Sequence, residues 1–230
     1  MKTKFSMAAR VWTTHLLLVL VCFLFVAAIL DNHWWIRYPV NLLLLAGGAM
    51  LVYGEGAYRG ERACTLAASL ESYRAEGKTP SAEDEKQVWN WKNGLQAALI
   101  AWIPLALVAL FNIVAQSGAL GLPVAQMAGL SQEEAKLLAF SVPSISNIVA
   151  RAVFMPYNLV YNWVSEAVLP YALLLVSMIM PAAVMVGYMQ GPRLRRKKLK
   201  EIELGKKRKL RKMKKGERQP RQPRPPKAEV

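Results

Sequence analysis

Four long apolar stretches separated by polar segments dominate this chain of 230 residues. Three of them, Val11–Leu30, Gly94–Ala115 and Leu169–Met189, are long enough to cross a bilayer, because about 20 residues in a helix cover about 30 Å of hydrocarbon. The fourth, Pro39–Gly54, is shorter, so that bilayer thinning or flanking anchors would have to compensate for the mismatch. The pattern predicts an all-α, polytopic membrane protein with four transmembrane helices.

The polar segments set the domain organisation. We expect a helical transmembrane domain over residues 1–190 and a tail over residues 191–230. Within the first, residues 55–92 form a loop between the second and third spans, and residues 116–168 form a segment between the third and fourth. The tail begins with glycine and proline, which are expected to end the fourth span. We expect this basic tail to be disordered or to form a helix at a surface.

The loop carries its own helical signals. Leu66, Leu70 and Tyr73 recur at helical spacing, which predicts a short amphipathic helix over Arg62–Glu76 that Gly77 ends. Gly54 is expected to end the preceding span. The glycines that follow do not form a phosphate-binding loop, because no strand precedes them and no Gly-Lys-Ser or Gly-Lys-Thr follows.

Basic residues are concentrated in the tail, which holds 18 of the 30 lysines and arginines against four acids. With four spans and both termini in the cytoplasm, 27 of the 30 lie on the cytoplasmic side, and Arg37, Lys136 and Arg151 lie outside. This distribution satisfies the positive-inside rule. It predicts a multi-pass protein of the plasma or inner membrane with cytoplasmic N- and C-termini.

One further apolar segment, residues 142–168, lies between the third and fourth spans. If it crossed the bilayer, the number of crossings would be odd and the tail or the N-terminal half would face the wrong side. We therefore expect an outer-face amphipathic or re-entrant helical segment, interrupted at Pro156. Projected as a helix, its polar side chains share one face: Ser144, Asn147, Arg151, Asn158, Asn162 and Glu166.

The chain lacks the sequence motifs of known catalytic and metal sites, such as His-Glu-x-x-His, Cys-x-x-Cys and Gly-x-Ser-x-Gly. The four predicted spans carry no charged residue between their ends, whereas ion-coupled carriers normally need one. His15 and His33 lie near opposite ends of the first span and cannot share a metal ion by themselves. We therefore predict no catalytic residue, metal or cofactor, and no enzymatic activity.

Two functional hypotheses follow. In the first, the chain is a non-enzymatic membrane scaffold or complex subunit that contacts the lipid bilayer and other membrane proteins, and its basic tail binds anionic lipid headgroups or RNA, including the ribosome. The tail residues expected to bind are Arg193, Arg195, Arg196, Lys197, Lys198, Lys206, Lys207, Arg208, Lys209, Arg211, Lys212, Lys214 and Lys215. In the second, it is a transport or insertase-like protein with a polar groove formed around Arg151, Asn147, Asn158 and Asn162.

Overall fold

The structure is a computed structural model that describes residues 2–27, 34–127, 138 and 140–217, and every regular element in these residues is helical. The α-helices are α1 (Lys2–Val21), α2 (Trp34–Ala75), α3 (Ala82–Gln87), α4 (Trp91–Gln116), α5 (Val124–Met127), α6 (Val142–Val153), α7 (Asn158–Trp163), α8 (Leu169–Val176), α9 (Ile179–Met189) and α10 (Gly191–Glu217). A π-helical stretch, Cys22–Ala27, extends α1, and a 3₁₀ turn, Met155–Tyr157, joins α6 to α7.

Four helical segments are long and apolar enough to cross a membrane. They are Thr3–Leu24, Tyr38–Ala75, Trp91–Gln116 and Leu169–Met189. The prediction of an all-helical chain with four such helices is therefore confirmed. The end of the first expected span, residues 28–30, lies outside the described residues.

Neighbouring helices of the four-helix bundle are fixed by side-chain contacts at several levels. Lys4 bonds Gln96, and the Trp12 indole donates to the Ala101 carbonyl at 2.9 Å, so α1 and α4 run in the same direction. Arg59 of α2 donates to the Ser6 hydroxyl at 3.0 Å. These contacts place the start of α1, the middle of α2 and the start of α4 at one end of the bundle. Because α10 leaves the bundle there, we call it the tail end.

Glycines bring α2 and α9 into backbone contact. Gly56 and Gly60 are four residues apart on α2, and Gly187 and Gly191 are four residues apart across the junction of α9 and α10. A methyl group added to Gly56 would lie 3.0 Å from the Tyr188 amide nitrogen, and one added to Gly60 would lie 3.2 Å from the Gly191 Cα. Small residues at this spacing let two helices in a membrane approach closely. The glycines that the sequence interpretation rejected as a phosphate loop are therefore a helix-packing surface.

The second helix differs from the sequence prediction. α2 is a continuous helix of 42 residues, Trp34–Ala75. The expected end at Gly54 is wrong, and Arg62–Glu76 is the last part of the same helix and not a separate one. The reason is tertiary: Gly56 and Gly60, which follow Gly54 and would weaken an isolated helix, are held against α9 and α10. The helix ends two residues before Gly77, which has a positive φ of 77°.

Prolines act differently in the third and fourth helical segments. Pro104 lies inside α4 without ending it. In the fourth segment, α8 ends at Val176 and α9 begins at Ile179, so the helix is interrupted just before Pro181. Ser177, at this interruption, accepts the Trp102 indole N–H at 2.8 Å and donates to the Leu174 carbonyl at 2.6 Å. The polar hydroxyl thus satisfies groups on two helices.

Small residues face inward and large apolar residues face outward. The inner face of α4 is built from Ala97, Ala101 and Ala109, none of which is accessible. On the outside, Leu43 and Met50 of α2 are 71% and 75% exposed. This distribution fits helices that pack closely on one another and present their large side chains to lipid.

Candidate functional site

Residues 142–166 form a helical hairpin that enters the bundle at the end opposite the tail end. We call it the inner hairpin. Its first arm, α6, runs alongside α4 in the opposite direction: Gln116 donates to the Pro143 carbonyl at 2.8 Å, and Ser146 donates to Asn112 at 3.1 Å. The N-terminus of this arm is capped, because the Ser141 hydroxyl accepts a hydrogen bond from the Ser144 backbone N–H.

The turn of the hairpin reaches the middle of the bundle. His15 lies 13 residues after Lys2 on α1, which is about 20 Å along the helix. Its ring Nε2 is 3.0 Å from the Val153 carbonyl, and its ring stacks on Tyr157 with centroids 5.9 Å apart. Phe154 and Tyr157 of the turn are almost fully buried. Aromatic packing and one polar contact therefore hold the turn against α1.

Several polar atoms around the inner hairpin are buried. Asn112 is fully inaccessible, and Ser146 and His15 are nearly so. Within the described residues, no protein group pairs with the amide nitrogen of Asn112, the Nδ1 of His15 or the hydroxyl of Tyr157. Polar groups this deep normally require a partner. Sequence reasoning missed this cluster, because isolated polar residues in apolar helices carry no spacing signal.

The second arm of the hairpin folds back onto the first through a charged pair. Arg151 of α6 forms an ion pair with Glu166, and its guanidinium carbon lies 5.3 Å from the centre of the Tyr161 ring. The Tyr161 hydroxyl donates to the Ala150 carbonyl at 3.4 Å. Burial raises the pKa of the Tyr161 phenol, and the nearby Arg151 charge opposes that effect. The two arms are thus joined by charge, ring stacking and a hydrogen bond.

A cavity of about 230 Å³ lies between this hairpin and the π-helical end of α1. Its walls are Phe23, Arg151, Ala152, Met155, Asn158 and Tyr161. Most of these side chains are apolar or aromatic, and Arg151 supplies a positive charge. The cavity can therefore accommodate a group that is partly apolar and negatively charged.

The predicted polar face is only partly assembled. The structure brings Arg151 and Glu166 together and places Asn158 in the wall of the cavity. Asn147 is buried, and the side chain of Asn162 lies outside the described residues. A single helical projection does not describe this segment, because the 3₁₀ turn at Met155–Tyr157 changes the direction of the chain.

The basic part of the tail is a helix from its first residue. Gly191 does not separate it from α9: only Gln190 lies between the two helices, with helical φ and ψ of −76° and −10°. The fourth helical segment thus ends at Met189, as expected for a stop at Gly191 and Pro192, but a new helix begins immediately at Gly191. Gly191 is buried against Gly60, and the Lys198 ammonium lies 2.5 Å from the Glu61 carboxylate. The start of α10 is thus attached to α2.

Beyond this attachment, α10 is exposed on all sides. Every residue from 196 to 210 is exposed, including Arg196, Lys197, Lys206, Lys207, Arg208 and Lys209. Arg193 is exposed as well, and Arg195 is half-buried. The backbone at Arg211, Lys212, Lys214 and Lys215 is helical, but their side chains lie outside the described residues. Residues 218–230 also lie outside them.

A second cavity, of about 830 Å³, lies at the tail end between the start of α1 and α3. Lys4, Lys86, Glu83 and Glu85 line it together with neutral polar groups. Its opposite charges balance one another, so it shows no preference for one sign of ligand. Within the described residues, no group of three or more His, Cys, Asp or Glu side chains lies close enough together to hold a metal ion.

Comparisons with protein-family models, with curated proteins and with solved structures found no match for this chain.

Proposed function

We propose that this chain is a non-enzymatic integral membrane protein that presents a basic helix to a polyanionic partner at the cytoplasmic face. One observation carries the proposal: α10 is attached to the bundle at its first turns and is exposed from residue 196 to 210. A helix used only for packing would bury one face against the bundle. An attached but uncovered helix leaves its charges available for a partner.

The charge on α10 identifies the chemistry of that partner. Residues 191–217 include 14 lysines and arginines and three acids, along a helix about 40 Å long. Anionic lipid attracts such a segment by about 1 kcal/mol per basic residue near the surface. RNA, including the ribosome, would bind the same charges through its phosphates, with release of counterions. Anionic lipid headgroups and RNA are therefore the two partners that the charge supports.

In the proposed topology, the protein lies in the plasma or inner membrane, and both termini are in the cytoplasm. The start of α1, the connection between α2 and α4, and the start of α10 share one end of the bundle. In this topology, the N-terminus, residues 55–92 and the tail together contain 27 of the 30 basic residues of the sequence. The positive-inside rule assigns such an end to the cytoplasm.

In this orientation, the inner hairpin is a re-entrant element of the outer half of the membrane. The contact between Val153 and His15 supports this placement, because it lies about 20 Å along α1 from the tail end. The part-buried hydrogen bond to Gln116 and the buried one to Asn112 support it as well, since polar groups at membrane depth need partners within the protein.

Co-purification tests the proposed function. The full-length protein would be isolated in mild detergent, and bound anionic phospholipid and RNA would be measured. We expect the combined substitutions Lys206→Gln, Lys207→Gln, Arg208→Gln and Lys209→Gln to lower the bound anionic material, because all four charged side chains are exposed. The difference should shrink as salt is raised.

A matched control changes the charge in the opposite direction. Glu201→Gln together with Glu203→Gln removes two exposed negative charges from the same helix and should increase binding. Thermal unfolding of each variant would check that the bundle is unchanged. If neither lipid nor RNA binding responds to these substitutions, the proposed function is wrong.

A further inference from the structure

We propose that the cavity between Phe23 and the inner hairpin binds the anionic end of an amphiphile, with Arg151 as the group that recognises it. The inference rests on the proposed re-entrant placement of the hairpin. It concerns a site separate from the basic helix, on the other half of the molecule. The ligand class is an oxyanion, phosphate or carboxylate, carried on a hydrocarbon chain.

The depth of Arg151 is the first argument. It lies eight residues after Pro143 on α6, and Pro143 contacts Gln116 at the end of α4. Eight residues of helix place Arg151 about 12 Å inward from that level. An ionisable residue at such a depth is expensive in a lipid environment and normally has a functional partner. Glu166 supplies a charge that neutralises it when no other anion is present.

The arrangement around the guanidinium is the second argument. Arg151 lines the cavity, whereas Glu166 does not. The guanidinium has five N–H donors in a fixed plane and can bind two oxygens of one oxyanion. Its side chain is 44% exposed, so an anion in the cavity can reach it without unfolding of the hairpin. The ligand would therefore share or replace the contact with Glu166.

The size and walls of the cavity decide which part of the ligand enters. At about 230 Å³, the cavity is smaller than the roughly 300–1,000 Å³ that encloses a drug-sized molecule. It holds a polar head and the first carbons of a chain. Phe23 is 61% exposed and offers an apolar surface for the rest of the chain. A membrane amphiphile fits this combination better than a water-soluble anion does.

Photocrosslinking of the full-length protein tests the site without interference from lipid on the tail. p-Benzoylphenylalanine would be introduced at Phe23, and the protein would be reconstituted in phosphatidylcholine nanodiscs that contain a small fraction of phosphatidylglycerol or of oleate. The control position is Leu24, which is 51% exposed but does not line the cavity. We expect the crosslinker at position 23 to label the anionic amphiphile in excess of its share of the lipid. The crosslinker at position 24 should label the two lipids in proportion to their content.

Substitutions of the charged pair give the decisive comparison. Arg151→Gln should lower the enrichment by about tenfold, since a charged hydrogen bond is replaced by a neutral one. Arg151→Lys should retain part of it, and Glu166→Gln should raise it by removing the competing carboxylate. If Arg151→Gln does not fold, the Glu166→Gln variant still tests the site, because only its enrichment at position 23 is expected to rise. The two nanodisc compositions distinguish a phosphate ligand from a carboxylate ligand.

Labelling of anionic and zwitterionic lipid at position 23 in proportion to their content in the nanodisc would overturn the inference. Labelling that is unchanged by both Arg151→Gln and Glu166→Gln would overturn it as well. Neither result would affect the proposed function, because the tail is unchanged in all these variants. Conversely, loss of anion binding by the tail variants would leave labelling at position 23 intact. The two proposals therefore succeed or fail separately.

Discussion

The backbone contact between α2 and α9 makes a prediction whose size can be derived from the structure. In Gly187→Ala, the new methyl carbon would lie 3.0 Å from the Tyr53 carbonyl carbon and 3.1 Å from the Ala57 nitrogen, and it would overlap the Tyr53 oxygen. The optimum separation of non-bonded carbons is about 3.5–4.0 Å. Since the crowded atoms belong to the backbone, the methyl group can be accommodated only if the two helices move apart.

The expected loss combines two opposing effects. Overpacking of a close interface typically costs about 1–3 kcal/mol. Alanine has a higher helix propensity than glycine, which offsets that loss by about 0.8–1 kcal/mol. The net destabilisation of Gly187→Ala should therefore be up to about 2 kcal/mol, and near that upper end because the crowded atoms are backbone. Gly47 lies on α2 with no atom within 4 Å of its added methyl group, so Gly47→Ala should be neutral or slightly stabilising.

Reversible unfolding in mixed micelles can measure the difference. The purified protein would be titrated with sodium dodecyl sulfate, and helix content or tryptophan fluorescence would report the transition. We expect Gly187→Ala to unfold at a lower detergent fraction than the original chain, and Gly47→Ala at an equal or higher one. If both variants shift the transition equally, the close contact between α2 and α9 does not contribute as the structure indicates.

Three further predictions concern single contacts. Ser177→Ala leaves the Trp102 indole N–H without its acceptor and should destabilise the bundle by about 1–3 kcal/mol in the same titration, whereas Ser117→Ala, at an exposed position, should have little effect. Gly77→Ala places a side chain at a φ of 77° and should lower stability by about 1–2 kcal/mol, and an unchanged transition would contradict the left-handed turn after α2. Glu61→Gln removes the ion pair with Lys198 and should change stability by less than about 1 kcal/mol; an effect that does not diminish with added salt would contradict an electrostatic attachment of α10.

Much of the architecture follows from local sequence. Long uncharged runs predict four helices that are long and apolar enough to cross a membrane, because a helix satisfies all its backbone hydrogen bonds within one segment. The charge of the tail likewise predicts an exposed segment, since a bundle cannot bury so many like charges at an acceptable free energy. The ends of the helices were predicted less well. Gly54 was expected to end the second span, and it lies inside α2, which continues to Ala75.

The candidate site was harder to predict from the sequence than the helices were, because its contacts join residues that are far apart in the chain. Arg151 and Glu166 are 15 residues apart, and a helical projection places them on one face without predicting that they touch. The turn at Met155–Tyr157 joins them by reversing the chain. The contact of Val153 with His15 is between residues 138 positions apart and has no local signal.

What the sequence by itself determined is the number of long apolar helices and the strongly charged segment that follows them. These features depend on composition and spacing within about 20 residues, where solvent preference and helical geometry act directly. Only the tertiary structure decided that Gly56 and Gly60 meet Gly187 and Gly191, and that the hairpin reaches the centre of the bundle. Such contacts depend on which helix faces arrive together, and close packing of small residues selects among arrangements that sequence periodicity alone leaves equivalent.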